Sequence, residues 1–156
     1  MLLKWILVIL HIITAAAWFG LGLRLAGQAR TVLSLEGEAR ATLADEGQQS
    51  VRLMNIFILL TLVFSLGAFV AGGHFATYGP AYHSAVTLIV LLTLDQLFVI
   101  RPGWATLQAF ADNPEETSLD DAESAKTRVA IGTGVGHLIW LVLLGLMFAN
   151  RLVAAL

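Results

Sequence analysis

Four long apolar stretches constrain the fold of this chain more than any other feature of its sequence. They cover about residues 3–25, 53–73, 82–101 and 129–150. Each is close to the ~20 residues with which an α-helix crosses the ~30 Å hydrocarbon core of a bilayer. Lipid offers no hydrogen bonds to a backbone, so each stretch is expected to form a helix. The sequence therefore predicts an all-α fold, an integral membrane four-helix bundle.

The composition supports one membrane domain over residues 1–156. Hydrophobic residues make up 58% of the chain and charged residues 13%, whereas soluble domains carry roughly 25% charged residues. The net charge of −2 gives no reason to expect a nucleic-acid partner. There is no cysteine, which excludes disulfides, thiolate metal sites and covalent haem attachment through a Cys-x-x-Cys-His motif.

The basic residues predict an orientation in the membrane. Seven of the nine lysines and arginines flank the predicted loops 26–52 and 102–128, and the other two, Lys4 and Arg151, lie on the opposite side. The positive-inside rule places those loops in the cytoplasm and both termini outside. We therefore expect a multi-pass protein of a bacterial inner (plasma) membrane.

Parts of both predicted loops have sequences that favour helix. Residues 34–49 are rich in Glu, Ala, Leu and Arg, which are good helix formers. Ser118 followed by Asp121 resembles a helix N-cap, so the fourth helix is expected to begin well before the membrane. Between the second and third stretches, Gly72-Gly73 and Gly79-Pro80 predict a tight turn.

Each apolar stretch also contains, or ends near, a histidine: His11, His74, His83 and His137. An ionisable residue is costly in hydrocarbon, so its presence there is a hypothesis of function. His11 and His137 are near the middle of their stretches, which predicts that both lie within a few Å of the bilayer midplane. His74 and His83 flank the turn, so the four histidines are expected to form a central and an outer pair.

The central pair suits a haem b with two histidine ligands, because such a haem needs two imidazoles on facing helices at one depth. Gly132 and Gly136 precede His137 one turn apart and would let a porphyrin, or simply another helix, approach closely. Trp18 shares a helical face with His11 and would form an aromatic wall. Packing of helices by these glycines is the alternative interpretation.

The outer histidines and one acidic residue leave more alternatives open. His74 and His83 are either ordinary residues of the membrane interface or ligands of a second haem or of copper. Asp95 lies within the third stretch and is costly there. It would hydrogen-bond a ligating imidazole, carry protons, or pair with Arg101.

One segment resembles known families. His11-Ile12-Ile13, followed by Trp18-Phe19 and Arg24, resembles the first helix of the HemJ-type protoporphyrinogen oxidases, and it is similar to that of the copper-resistance D-type membrane proteins. The resemblance covers about 25 residues and implies a four-helix membrane protein. In the HemJ family the first-helix histidine is implicated in binding haem b, so the resemblance makes His11 the ligand candidate. That family's lysine near the start of the third helix has no counterpart in Tyr82-His83-Ser84.

These observations predict a membrane-embedded b-type haem protein for electron transfer, with a central haem b and an outer pair suited to a second. Three other functions stay open: a HemJ-like protoporphyrinogen oxidase, a copper transport or resistance protein, and a cofactor-free accessory subunit of a larger membrane complex. The expected partners are the lipid bilayer and either another membrane redox subunit or a quinone. A homo-oligomer is also open.

Overall fold

The computed structural model describes residues 2–73 and 80–153 of the chain. Four helices are long and apolar enough to cross a membrane, which confirms the predicted all-α class with four long apolar helices. The third is one continuous rod, in which five π-helical residues, Gln96–Ile100, join two α-helices. The α-helices are α1 (Leu2–Ser34), α2 (Gly37–Ala71), α3 (Pro80–Asp95), α4 (Arg101–Asp112) and α5 (Leu119–Val153).

The two predicted loops, 26–52 and 102–128, are almost entirely helical. Only two residues separate α1 from α2, and Gly37 follows them with φ +55°, a left-handed conformation that suits glycine. At the other connection, the Ser118 hydroxyl accepts a hydrogen bond from the Asp121 amide at 3.1 Å, as the sequence predicted. The helices therefore continue well beyond the apolar stretches.

The helices run alternately in opposite directions, so the bundle has two ends. The end with the start of α1, the ends of α2 and α5 and the start of α3 is called here the Leu2 end. The opposite end, with both short connections, is called the Ser34 end. Many large apolar side chains on the outer faces are exposed, among them Ile13, Val63 and Leu138. Such outer faces fit a lipid environment.

The buried core is densest toward the Ser34 end. Trp104 of α4 is fully buried, and its indole N–H donates to the carbonyl of Ala44 on α2 at 3.1 Å. Its ring lies directly against Gly47, where a Cβ atom would be 1.8 Å from Cζ2 of the indole. Leu107 and Phe110 continue this layer. The close approach of α2 and α4 therefore depends on the missing side chain of Gly47.

We expect Gly47→Ala to destabilise the bundle, because the added methyl group would displace the Trp104 ring. Overpacking of this kind costs about 1–3 kcal/mol. Thermal unfolding of the detergent-solubilised protein would measure the loss. Gly20→Ala is the matched control, since a Cβ at Gly20 meets nothing within 4 Å. Equal stability of the two variants would contradict this account of the packing.

Candidate functional site

His11 is held by a contact with the neighbouring helix. It is half-buried on α1, and its Nδ1 lies 3.3 Å from the carbonyl oxygen of Thr61 on α2. A carbonyl oxygen only accepts, so Nδ1 carries the proton in this long hydrogen bond and Nε2 keeps its lone pair. Histidines that bind metals commonly donate their other ring N–H to a backbone carbonyl in this way. The arrangement prepares His11 to act as a ligand.

Two threonines fix α1 against α2 next to His11. The hydroxyl of Thr61 is 2.9 Å from the hydroxyl of Thr14 and 2.7 Å from the carbonyl oxygen of Phe57. The hydroxyl of Thr14 in turn donates to the carbonyl of Leu10 at 2.9 Å. Both hydroxyls are thus satisfied inside the bundle, and they hold the Thr61 carbonyl at the level of the imidazole.

A cavity of about 200 Å³ lies beside His11, between α1, α2, α3 and α5. Its walls are mainly apolar and include Trp18 and Trp140. Ile12 and Leu144 also line it, and these two side chains are 54% and 41% exposed. The cavity therefore reaches the outer surface between α1 and α5, where an apolar molecule would enter from lipid.

His137 lies in a different layer of the bundle. Its ring packs on Phe19 at a centroid distance of 4.7 Å and edge-on to Trp18 at 6.0 Å. It also lies against Gly22, where a Cβ atom would be 2.7 Å from Nε2 of the imidazole. Gly22 follows His11 by 11 residues, which is about 16 Å along a helix.

The expectation that His11 and His137 share one depth is therefore wrong. Helical side chains lean toward the N-terminus of their own helix, and α1 and α5 run in opposite directions. The two imidazoles thus lean away from each other and do not face a common iron in this structure. The sequence placed both at the midplane because each is central in its apolar stretch, but the stretches are shifted along the bundle.

The glycines of α5 make room for protein side chains. A Cβ atom at Gly132 would be 3.3 Å from Oδ1 of Asp95, and one at Gly136 would be 3.3 Å from Oδ2. The indole of Trp18 also packs on Gly136. The two glycines thus pack helices, as in the alternative interpretation. The space predicted for a porphyrin beside them is filled by Asp95 and its neighbours.

Asp95 forms no hydrogen bond through Oδ2 and no ion pair with its predicted partners among the described residues. Among the described residues, Oδ2 of Asp95 and Nε2 of His137 have no hydrogen-bond partner, so no hydrogen bond joins these two atoms. Arg101 is exposed, and no ion pair between Arg101 and Asp95 is found within residues 2–73 and 80–153. The proton-carrying role of Asp95 stays a prediction.

A chain of buried hydrogen bonds crosses the bundle beside Asp95. The Trp18 indole N–H donates to Oε1 of Gln96 at 3.0 Å, and Nε2 of Gln96 donates to Oδ1 of Asn55 at 2.8 Å. Gln96 opens the π-helical segment, a feature that is frequent at functional sites. Sequence analysis missed Gln96 and Asn55, although amide side chains within apolar stretches signal such contacts between helices.

The outer pair stays a prediction. His74 lies outside the described residues, and the ring of His83 on α3 is edge-on to Phe69 of α2 at 6.5 Å. The described part of the chain holds no group of three or more side chains that could bind a metal ion. His11 with its cavity is therefore the candidate site that the structure defines best.

We expect Gln96→Leu to lower the free energy of unfolding, because it leaves the Trp18 N–H and the Asn55 amide without their partner. An unsatisfied buried polar group costs about 1–3 kcal/mol. Detergent-phase thermal unfolding, followed by tryptophan fluorescence, would measure the change. Phe98→Leu, in the same π-helical segment but at a side chain that is 70% exposed, is the control. If both variants unfold like the original protein, the chain of hydrogen bonds does not contribute to the free energy of unfolding.

No family model matches this chain, and no match was found among curated proteins or among solved structures.

Proposed function

We propose that this protein is a membrane-embedded b-type haem protein that transfers electrons, with His11 as a ligand of the haem iron. One observation carries the proposal: the Nδ1–H of His11 is bound to the Thr61 carbonyl, beside an apolar cavity within the bundle. An imidazole fixed in this way presents Nε2 as a ligand, and histidine is the commonest protein ligand of haem iron. His137, which the sequence paired with His11, is not included.

The cavity would hold part of a porphyrin. Its volume of about 200 Å³ is below the roughly 300–1,000 Å³ of pockets that enclose drug-sized ligands. The rest of the macrocycle would lie in the opening between Ile12 and Leu144, in contact with lipid. Ala15 and Ala16 line the same wall of α1, and small residues allow a flat ring to approach a helix closely.

Haem supplies one-electron redox chemistry when bound. The protein supplies the iron ligand, holds the haem in position and surrounds it with an environment without water. The distribution of basic residues supports an orientation with both termini outside, as in a bacterial inner membrane. In that orientation His11 lies nearer the outer face than His137 does. A quinone dissolved in the membrane, or another membrane redox subunit, would exchange electrons there.

We expect the full-length protein, purified from cells supplied with haem, to contain one haem b per chain. A reduced-minus-oxidised spectrum and a pyridine haemochrome assay would measure it. His11→Ala should abolish the haem, and added imidazole should restore binding, because a free imidazole replaces the lost ligand. His137→Gln is the matched control, because it removes the other central imidazole but keeps a side chain against Gly22, and it should keep its haem.

Three results would contradict the proposal. The first is carefully purified protein without haem, the second is full haem content in His11→Ala without imidazole, and the third is loss of haem only in His137→Gln. Size-exclusion chromatography and circular dichroism of each variant would separate loss of the ligand from loss of the fold.

A further inference from the structure

Aromatic packing between α1 and α5 sets which residue of α5 lies opposite His11. The rings of Phe19 and Trp140 are stacked at a centroid distance of 4.4 Å. Because the two helices are antiparallel, the eight residues from Phe19 back to His11 correspond to eight residues forward from Trp140, which leads to position 148. The contact of Phe19 with the His137 ring at 4.7 Å leads in the same way to position 145, so Met147 lies between the two positions that these contacts place at the level of His11.

Met147 also lines the cavity that His11 lines. Its side chain is half-buried on α5, across the opening from α1. Of the described residues that line the cavity, His11 and Met147 are the ones with an imidazole or a thioether, the neutral groups that bind haem iron. Thr61 is already hydrogen-bonded to Thr14 and Phe57, and the remaining walls are apolar apart from the Ser65 hydroxyl and the indole N–H groups.

We infer that the thioether sulfur of Met147 is the second axial ligand of the iron, in the position that the sequence had given to His137. This inference rests on the proposed haem at His11. Histidine and methionine together form a known haem ligand pair, which raises the reduction potential. The thioether is a soft ligand that favours ferrous iron. Met147 offers a thioether on α5, at the cavity that His11 lines from α1.

Spectroscopy of the full-length haem-loaded protein tests the inference. The ferric form should show the far-red charge-transfer band that is diagnostic of a sulfur–iron bond. Met147→Leu should keep haem bound through His11, lose this band, become high-spin and shift the reduction potential downward. Met147→His should return the low-spin state without the band, because an imidazole replaces the sulfur.

A methionine also fills gaps in an apolar interior, so the control must remove a methionine elsewhere. Met54 is fully buried on α2 and does not line the cavity, so Met54→Leu should leave the spectrum and the potential unchanged. The inference is overturned if Met147→Leu keeps the band and the potential, or if Met54→Leu changes them equally. In both cases the proposal that His11 binds haem is unaffected. A wild-type protein without haem would instead overturn the proposed function itself.

Discussion

The close contact between α1 and α5 at Gly22 sets the register on which the candidate site depends. Because Gly22 has no side chain, the His137 imidazole lies almost on the α1 backbone, with Phe19 against its ring. Trp140, less than one turn further along α5, then stacks on Phe19. With this register fixed, the residue that faces His11 belongs to the last turns of α5. The ring of His137 is thus part of the packing between α1 and α5.

Polar groups inside the bundle form two separate layers. Near the Leu2 end, His11, Thr14 and Thr61 join α1 to α2. Further toward the Ser34 end, Trp18, Gln96 and Asn55 join α1, the π-helical segment and α2. Since lipid gives little drive for helices to associate, hydrogen bonds and close packing hold such a bundle together. The cavity lies between α1, α2, α3 and α5, beside both His11 and Thr61.

Hydropathy was enough to predict the four spans, and helix-forming residues with the Ser118 cap predicted that the fourth helix begins early. Depth could not be predicted in the same way. Hydropathy measures where each helix meets water, but the relative shift of α1 and α5 is decided by single contacts, such as His137 on Gly22. Gly132 and Gly136 were recognised as places of close approach, but their partner, Asp95 of α3, could be found only from the three-dimensional packing. His11 was identified because an ionisable residue is costly in hydrocarbon. Its hydrogen bond to the Thr61 carbonyl could be found only from the structure.

The length of the helices gives the two halves of the molecule different sources of stability. α1 and α2 have 33 and 35 residues, or about 50 Å each at 1.5 Å per residue, so roughly 20 Å of the bundle extends beyond a ~30 Å hydrocarbon core. That protruding headpiece, centred on Trp104 and Gly47, is held by the hydrophobic effect in water. Its contacts join α2 to α4 outside the apolar stretches. The half in lipid takes its register from the contact of His137 with Gly22, and the opening between α1 and α5 lies beyond that contact, toward the Leu2 end.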